Sequence, residues 1–412
     1  MKQIKKVLGE NLQQYTMVIA LIVLIVFFNI ASDGKMITPS NFQNLLSGNA
    51  YVLILAIGML MVIVVGHIDL SVGSVAGFCG MVMAIAFQKW GWPWWTAVLL
   101  GLGIGALVGA WNGFWVAKVG IPGFITTLAS QMVFRGAVIW ISHSISVPAP
   151  SELKWFGAGH LPEWGPGFTG MNNSTLLLGV FAIAFFIYSQ LAQHKRANAM
   201  HADKEPLWPV LARIALITAA IGYLTWLYGT GRPGTSFPVP GLILVVVYHI
   251  NTQKTTFGRH IYAVGGNKNA AALSGINVEK TYFLTMLNMS VLAALAGILF
   301  VGRSTAAGPS DGIGWETDAI ASVFIGGAAV SGGVGTVIAT MVGGMIMAVL
   351  NSGLMLLGVG ADKTQVIKGL VLLGAVAFDV FNKRPGHVSI TKRLFGIAGA
   401  EKKEGSPAEK KS

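Results

Sequence analysis

Charged residues are scarce in this sequence: Asp, Glu, Lys and Arg together make up 11% of its 412 residues. Because soluble domains average about 25% charged residues, a string of soluble domains is excluded for most of this length. Hydrophobic residues make up 54%. They lie in blocks of roughly 16–25 residues, each long enough to cross a hydrocarbon core about 30 Å thick. The sequence therefore predicts a membrane protein.

Other absences exclude particular kinds of chemistry. Cys79 is the only cysteine, so an intrachain disulfide is impossible. No Gly-x-x-x-x-Gly-Lys-Ser/Thr sequence is present to hold ATP phosphates, and the glycine-rich turn at 332–336 lacks the lysine. No His-Glu-x-x-His or comparable nucleophile set accompanies His67 and Asp69, which argues against an intramembrane enzyme. We therefore predict no catalytic residue, no metal site and no cofactor bound by this chain.

Acidic residues are few compared with basic ones, 16 against 28, and the formal net charge is +12. Basic residues concentrate at the two ends of the chain and in the breaks at 195–204 and 254–280. The break at 143–172 and the one after Arg303 are neutral or acidic. This asymmetry follows the positive-inside rule and predicts that both termini are cytoplasmic. The charge therefore indicates orientation in the membrane, and we predict no nucleic-acid partner.

The apolar blocks predict an all-α, polytopic membrane bundle of about 10–12 transmembrane segments. An even number is favoured because both ends are basic, and we expect the blocks at 67–88 and 318–336 to be broken or re-entrant. We interpret the first block as an uncleaved span, since no convincing cleavage site follows it. The twelve blocks run approximately over 17–31, 48–66, 71–88, 95–117, 121–142, 173–191, 212–229, 238–253, 282–302, 318–331, 337–357 and 365–382.

We divide the chain into three parts. Residues 1–16 form a cytoplasmic N-terminal segment, and residues 17–382 form the transmembrane domain with a cytoplasmic loop at about 255–281. Residues 383–412 form a basic cytoplasmic tail whose end is rich in Lys, Glu and Ser, a composition typical of disorder.

Glycines recur at every fourth position in the block at 95–117, namely Gly101, Gly105, Gly109 and Gly113. Lipid provides no hydrophobic force between helices, so helices associate through close backbone approach at small residues. This glycine stripe therefore predicts tight helix packing.

The most distinctive polar segment covers residues 256–280 and has the sequence TFGRHIYAVGGNKNAAALSGINVEK. Asn267 is placed to cap a short helix that ends at Leu273, and Gly275 is placed to end it in the left-handed conformation. A short capped helix between glycine turns suits docking onto another protein. The residues alone leave an ordinary cytoplasmic loop as the alternative.

This segment resembles the coupling loop of the ABC-importer permeases that carry monosaccharides, the ribose, xylose and galactose group. Three further stretches carry the same resemblance, in order along the chain. They are GHIDLSVGS at 66–74, GAWNG at 109–113 followed by IPGFITTL at 121–128, and DAIA at 318–321 with IGG at 325–327 and GGVG at 332–335. Together these motifs cover about residues 40 to 380, and they form a far more specific signal than a lone glycine motif.

One feature of the chain is similar to the xylose-type and multiple-monosaccharide permeases in particular. The connection before the coupling loop, residues 192–253, contains a basic loop and roughly two additional apolar blocks. His67 departs from the family, because close relatives often have glycine or glutamate at that position.

The resemblance implies a mechanism and a set of partners. Two permeases, expected to be a homodimer, would form a central path in the bacterial inner membrane. An extracytoplasmic binding protein would deliver the sugar, and a cytoplasmic ATPase pair that uses ATP and Mg²⁺ would dock at the coupling loop. The sequence does not name the sugar.

We predict three groups of functional residues. The ATPase-coupling residues are Gly258, Arg259, Gly265, Gly266, Asn267, Ala270, Ser274 and Gly275. A neutral sugar needs groups that match hydroxyls, so the candidates for lining the path are Asn112, Thr126, Thr127, Ser130 and Gln131, for which interhelical hydrogen bonding is the alternative. The structural or gating candidates are Asp69, Ser71, Gly73, Arg135 and Asp318, with Asp69 orienting a broken helix, Arg135 pairing with an acid or with carbonyls, and Asp318 capping its helix.

Two other functions remain open on the residues alone. An ion-coupled secondary transporter would need charged or carbonyl-rich sites at mid-membrane, for which Asp69 and Arg135 are candidates. An ABC permease for another small cargo, such as an amino acid or a nucleoside, would share the same motifs.

Overall fold

The computed structural model describes residues 12–158, 161–165, 169–199, 207–230 and 239–382. The tail at 383–412 and most of the N-terminal segment at 1–16 lie outside these residues. The helices are α1 (Leu12–Ala31), α2 (Pro39–Val64), α3 (Val72–Gln88), α4 (Trp94–Phe114, continued by a π-helical turn at Trp115–Val119), α5 (Gly123–Ser142), α6 (Lys154–Ala158), α7 (Asn173–Ala199), α8 (Leu207–Gly229), α9 (Val239–Lys254), α10 (Thr256–Gly266), α11 (Lys268–Leu273), α12 (Val278–Ser304), α13 (Trp315–Ile325), α14 (Val337–Leu356) and α15 (Ala361–Asn382). One short antiparallel pair joins β1 (Val147–Pro148) to β2 (Ala306–Ala307), with Val147 opposite Ala307.

Every apolar block predicted from the sequence forms a helix. Within the described residues, 7 helices are long and apolar enough to cross a membrane, and α1 and α3 contribute shorter apolar stretches. The predicted all-α polytopic membrane bundle is therefore confirmed.

The centre of the bundle is α12, which packs against α2, α3 and α4. The glycine stripe of α4 faces α12: a Cβ atom added at Gly105 would lie 2.5 Å from the Cβ of Ala294, and one at Gly109 would lie 2.7 Å from the Cα of Leu287. These distances leave no room for a larger residue, so the predicted close packing is confirmed.

In the two regions where the sequence predicts broken segments, irregular backbone separates consecutive helices. We call each such stretch an interruption, and the two helices on either side of it an interrupted hairpin. The first interruption separates α2, which ends at Val64, from α3, which begins at Val72. The second separates α13 from α14 and covers residues 326–336. Irregular backbone at membrane depth is tolerated only where protein or water surrounds it, and both interruptions pack against other parts of the bundle.

The charges after Arg303 suggested a simple connection between two apolar blocks. The structure of this stretch is different. It folds back into the bundle, where the carbonyl oxygen of Gly312 lies 2.1 Å from the position of a Cβ atom at Gly73, and the carbonyl of Asp311 lies 2.5 Å from one at Gly77. The glycines on both sides allow this approach. We call residues 308–314 the re-entrant loop.

The prediction that Asp318 caps its helix is wrong. Helix α13 begins at Trp315, with Gly314 at the N-cap position and no side-chain cap hydrogen bond, so Asp318 lies inside the first turn. Its buried carboxylate instead forms an ion pair with Lys368 of α15, with Nζ 2.8 Å from Oδ1. The sequence pattern placed the start of α13 three residues late, because Trp315 to Thr317 did not belong to the apolar run.

Candidate coupling and translocation site

A short helix, α11, projects at one end of the bundle, which we call the coupling end. Asn267 Oδ1 accepts a hydrogen bond of 3.0 Å from the backbone N–H of Ala270, and Ser274 Oγ donates one of 2.9 Å to the carbonyl of Ala270. Gly275 follows with a φ of +83°, the left-handed conformation that ends the helix. The sequence therefore predicted both ends of α11 correctly.

Helix α10 anchors this projection to the bundle. Thr255 caps it by accepting a 3.2 Å hydrogen bond from the N–H of Gly258, and Ile261 and Val264 are buried on its inner face. Arg259 lies on its exposed side. The amphipathic pattern thus fixes which face of α10 packs and which remains available.

Gly265 connects α10 to both interrupted hairpins. A Cβ atom at Gly265 would lie 1.7 Å from the carbonyl oxygen of Val64 and 2.9 Å from the nitrogen of Gly333, whereas one at Gly266 would meet nothing within 4 Å. The N–H of Gly333 also donates a 2.8 Å hydrogen bond to that Val64 carbonyl. Movement of α10 therefore acts directly on the end of α2 and on the 326–336 segment.

Tyr262 provides a second link between α10 and the α13–α14 interruption. Its hydroxyl donates a 2.7 Å hydrogen bond to the carbonyl of Gly335. A cavity of about 320 Å³ lies beside this contact. The cavity is lined by Thr252, Gln253, Arg259, Tyr262, Gly335 and Thr336.

Sequence reasoning missed one residue of this region, Leu273. Its side chain is 90% exposed at the end of α11, although it is large and apolar. Because its side chain is not buried in this chain, Leu273 is available for contact with another protein. The signal was present in the sequence, because Leu273 is the one large apolar residue between Val264 and Ile276.

His67 lies in the connection after α2, at the coupling end. Its ring packs edge-on against Tyr282, with centroids 4.5 Å apart, and the Nζ of Lys268 lies 5.6 Å from the centroid of the same tyrosine. Burial, reinforced by the positive charge of Lys268, lowers the pKa of His67 to about 4. The imidazole is therefore neutral at physiological pH.

The first interruption is held by a buried hydrogen-bond network. Asp69 Oδ1 accepts from the N–H of Ser71 at 2.8 Å and from its hydroxyl at 2.6 Å, as the orienting role predicted for Asp69 requires. Asn112 Nδ2 donates to Ser71 Oγ at 3.3 Å, and Ser130 Oγ donates to Asn112 Oδ1 at 2.6 Å. Helices α4 and α5 thus fix the irregular backbone between α2 and α3.

Four of the five path candidates are buried, namely Asn112, Thr126, Thr127 and Ser130. Thr127 Oγ1 accepts a 3.0 Å hydrogen bond from the N–H of Leu70, which ties α5 to the same interruption. In this structure Asn112, Thr127 and Ser130 make the hydrogen bonds between elements that were the alternative to path lining. The Thr126 hydroxyl is buried and has no hydrogen-bond partner among the described residues. Their role in the path stays a prediction.

The fifth candidate, Gln131, lies with Arg135 on a partly exposed face of α5. Gln131 Nε2 donates a 3.1 Å hydrogen bond to Glu316 Oε1, and Arg135 Nη1 donates one of 2.8 Å to the carbonyl of Asp311. Arg135 therefore pairs with a carbonyl, one of the two partners we predicted. Gly73 packs against the same re-entrant loop.

In the part of the chain that the structure describes, no three His, Cys, Asp or Glu side chains are grouped so as to hold a metal ion. What the geometry does define is a helical membrane bundle with two interruptions, both contacted by an external segment that ends in an exposed leucine. This arrangement is that of a membrane transport permease.

Comparison with known proteins gives the family. A family model described as "Branched-chain amino acid transport system / permease component" matches residues 41–376. The chain therefore belongs to this family of transport permeases. No solved structure gives a significant match to the chain.

Comparison with curated proteins shows which kinds of transport permease the chain resembles. The xylose transport system permease protein XylH of Haemophilus influenzae is 37% identical over 381 residues, which cover 92% of this chain and 99% of the relative. XylH of Escherichia coli K12 is 37% identical over 378 residues, covering 91% and 93%. The ribose import permease protein RbsC of the same organism is 31% identical over 373 residues, covering 89% and 94%. The predicted resemblance to monosaccharide ABC-importer permeases is confirmed, and the chain is a multi-pass inner-membrane transport subunit that is not itself an enzyme.

Proposed function

We propose that this chain forms the translocation path of an ABC importer for a monosaccharide, xylose or a related pentose or hexose, driven by a separate ATPase subunit. The cargo is inferred from relatives that are named for xylose, ribose and D-allose, with the xylose permeases sharing the highest identity of these. The single observation that carries the energy coupling is the α10–α11 segment. It presents Leu273 to solvent while Gly265 contacts both interrupted hairpins.

The geometry supports a direct mechanical link. An ATPase pair that grips α11 pulls on α10, because the capped ends of α11 make it a rigid unit. At Gly265 the backbones are already in contact, so a shift of α10 displaces Val64 and Gly333 together. Each of these residues borders an interruption, where the backbone changes direction at lower cost than inside a continuous helix. The two hairpins then alternate between outward- and inward-facing arrangements.

Partners follow from this assignment. The ATPase binds ATP and Mg²⁺ at the cytoplasmic face, a sugar-binding protein docks at the opposite face, and a second copy of the permease completes the path. The chain itself binds no cofactor in this proposal.

The test is to purify the complete transporter from native-like membranes and measure ATPase co-purification, ATP hydrolysis and sugar uptake in proteoliposomes. Leu273→Asp places a charge on the proposed docking contact and is expected to lower ATPase co-purification at least about tenfold, since docking would bury an unpaired carboxylate. Leu273→Met keeps an apolar side chain and is the matched control. Full co-purification and coupled uptake with Leu273→Asp would contradict the docking role.

Gly265 and Gly266 separate docking from transmission. Gly265→Ala places a methyl group against the Val64 carbonyl, so ATPase is expected to bind while hydrolysis no longer drives uptake. Gly266→Ala meets open space and is the control within this chain. A bulky residue at Gly266 tests the partner's surface instead, because a Cβ atom there meets nothing within 4 Å. At Gly275 a bulky residue would also strain the left-handed backbone that ends α11.

An ion-gradient transporter gives the opposite result. A chain that purifies without an ATPase, yet catalyses ion-dependent uptake in vesicles, would overturn the proposed function as a whole.

A further inference from the structure

Four polar side chains form a strip between α5 and the re-entrant loop: Gln131, Arg135, Asp311 and Glu316. We call them the mid-depth strip. Two hydrogen bonds hold it together, from Gln131 to the Glu316 carboxylate and from Arg135 to the Asp311 carbonyl. The Asp311 carboxylate accepts a 2.7 Å hydrogen bond from the N–H of Gly308 and so stabilises the loop from within.

The strip lies near the middle of the bundle along its long axis. Helix α12 has 27 residues and is therefore about 40 Å long at 1.5 Å per residue. Ala76 of α3 packs against Gly297 of this helix, and Gly73, one turn nearer the coupling end, contacts Gly312 of the re-entrant loop. That level is close to the midpoint of α12, within the hydrocarbon core of a membrane.

All four side chains are partly exposed in the single chain. A charged group that faces lipid at the bilayer centre costs roughly 2.5–3.5 kcal/mol or more, so such groups face protein or a water-filled cavity. Three of the four carry charge, which excludes lipid as the neighbour of this face. The adjacent face of α5 is different, since Met132 and Val133 are exposed and apolar. Helix α5 therefore has a lipid side and a non-lipid side at one depth.

The strip also has unused hydrogen-bonding capacity. Glu316 Oε2 is buried against Gly73 and has no hydrogen-bond partner among the described residues. A guanidinium has five N–H donors, and the structure gives Arg135 one hydrogen bond, to Asp311. A sugar hydroxyl both donates and accepts, so it needs an acceptor and a donor side by side. Glu316, flanked by Gln131 and Arg135, supplies both.

We propose that the mid-depth strip is the part of the translocation path that contacts the sugar, with Glu316 accepting and Gln131 and Arg135 donating hydrogen bonds to hydroxyl groups. This rests on the proposed function and adds to it the site of contact. The re-entrant loop leads into α13, whose first turn carries Glu316 toward α5. The same loop contacts Gly73 just beyond the first interruption. Movement of that interruption therefore changes the geometry of the strip.

Cysteine labelling tests whether the strip faces water. The sole cysteine, Cys79, is buried, so a Cys79→Ser background gives single-cysteine variants of the full transporter in intact membranes. Gln131→Cys and Ile313→Cys, the latter in the exposed tip of the re-entrant loop, are expected to react about tenfold faster with a charged, water-soluble thiol reagent than Val133→Cys, because the reactive thiolate forms only in water. Xylose is expected to slow the first two reactions and leave the third unchanged.

Transport kinetics test contact with the sugar. Glu316→Gln and Gln131→Leu are expected to raise the KM for xylose uptake about tenfold, as loss of a hydrogen bond to a charged group does. Gln193→Leu is the control, because Gln193 is exposed on α7, outside both the strip and the coupling loop. Co-purification of the ATPase verifies that each variant is folded.

The outcomes separate this proposal from the function on which it rests. If the wild-type transporter shows no ATP-dependent sugar uptake, the proposed function fails. If the wild type transports sugar while Val133→Cys labels as fast as Gln131→Cys, or while both strip variants keep the wild-type KM, the mid-depth strip is not the contact site. Disulfide cross-links between two copies at Gln131→Cys, without labelling, assign the strip to the permease dimer interface and likewise overturn the proposal.

Discussion

Helices α2 and α7 have nearly the same mean hydropathy, 2.1 and 2.0 over their most apolar stretches, yet 83% of the first stretch and 11% of the second are buried inside the chain. Helix α8, which pairs with α7, is likewise 11% buried. Hydropathy therefore identifies a span without telling whether protein or lipid surrounds it. In this molecule the difference is made by small and polar residues, which let one helix approach another.

The buried helices are linked by rows of glycine and by polar contacts between helices, and the α7–α8 pair has fewer of both. Helix α4 presents a row of glycines to α12, and α2 meets α14 through polar contacts such as that from Asn351 Nδ2 to Asn49 Oδ1, 3.2 Å long. Helices α7 and α8 pack chiefly on each other. Helix α8, but little of α7, falls in the 192–253 region that is similar to the xylose-type permeases in sequence. We infer that the α7–α8 pair surrounds the transport machinery without forming part of it.

The sharpest test of this comparison replaces a glycine by valine in the buried core and, separately, in the α7–α8 pair. Gly109→Val puts a branched side chain where Cβ would already lie 2.7 Å from the backbone of Leu287, so α4 and α12 must separate. We expect a loss of at least about 3 kcal/mol, the upper range for overpacking, and little monodisperse protein in detergent. Thermal unfolding of the purified protein measures this loss of stability.

Two controls accompany that variant. Gly222→Val, on α8, and Gly103→Val, on the other face of α4, meet nothing within 4 Å, and we expect both to unfold at the wild-type temperature within a few degrees. A Gly222 variant as unstable as the Gly109 variant would show that this face of α8 packs against protein as closely as α4 packs on α12.

A second test compares a buried ion pair with an exposed one. Asp318→Asn leaves Lys368 without its partner between α13 and α15, where the two side chains are 2% and 15% exposed. Breaking such a pair is expected to cost about 3–5 kcal/mol, measured as a fall in the unfolding temperature. Replacing both residues by Leu is expected to recover most of the loss, because no unpaired charge then remains.

The matched control is Glu279→Gln at the coupling end. Its ion pair with Lys118 is 2.9 Å long, close to the 2.8 Å of the buried pair, but the side chains are 61% and 64% exposed. We therefore expect a change below about 1 kcal/mol. Equal losses at the two pairs would mean that burial does not govern the strength of these contacts.

The sequence predicted the elements of this fold better than their interactions. Each apolar block, both interruptions and the capped helix at 268–273 followed from local patterns, because hydrophobic periodicity, Asn caps and left-handed glycines act over a few residues. The partner of Asp318 did not follow, since Lys368 lies 50 residues away in a block judged by its hydropathy. The re-entrant loop was missed for a related reason: Asp311 and Glu316 look like a solvent-exposed break until Gly73 and Gly77 are seen to make room for it.

The smallest expected effect concerns pH and the neutral imidazole of His67 at the coupling end. With a pKa of about 4 in the folded protein and about 6.5 when unfolded, the unfolded state binds the proton more readily. Stability is therefore complete above pH 6.5 and falls as the pH falls toward 4. Between pH 7.5 and 6.0 we expect a loss of about 1 kcal/mol, which His67→Gln abolishes because glutamine does not titrate. The readout is the pH dependence of the unfolding temperature for the wild type minus that for the variant, so that titration of all other groups cancels. Parallel curves for the wild type and the variant would show that His67 reaches solvent. The packing of Tyr282 and Lys268 at the base of α11 would then have to open easily. In that case the coupling end would resemble the peripheral α7–α8 pair more than the core.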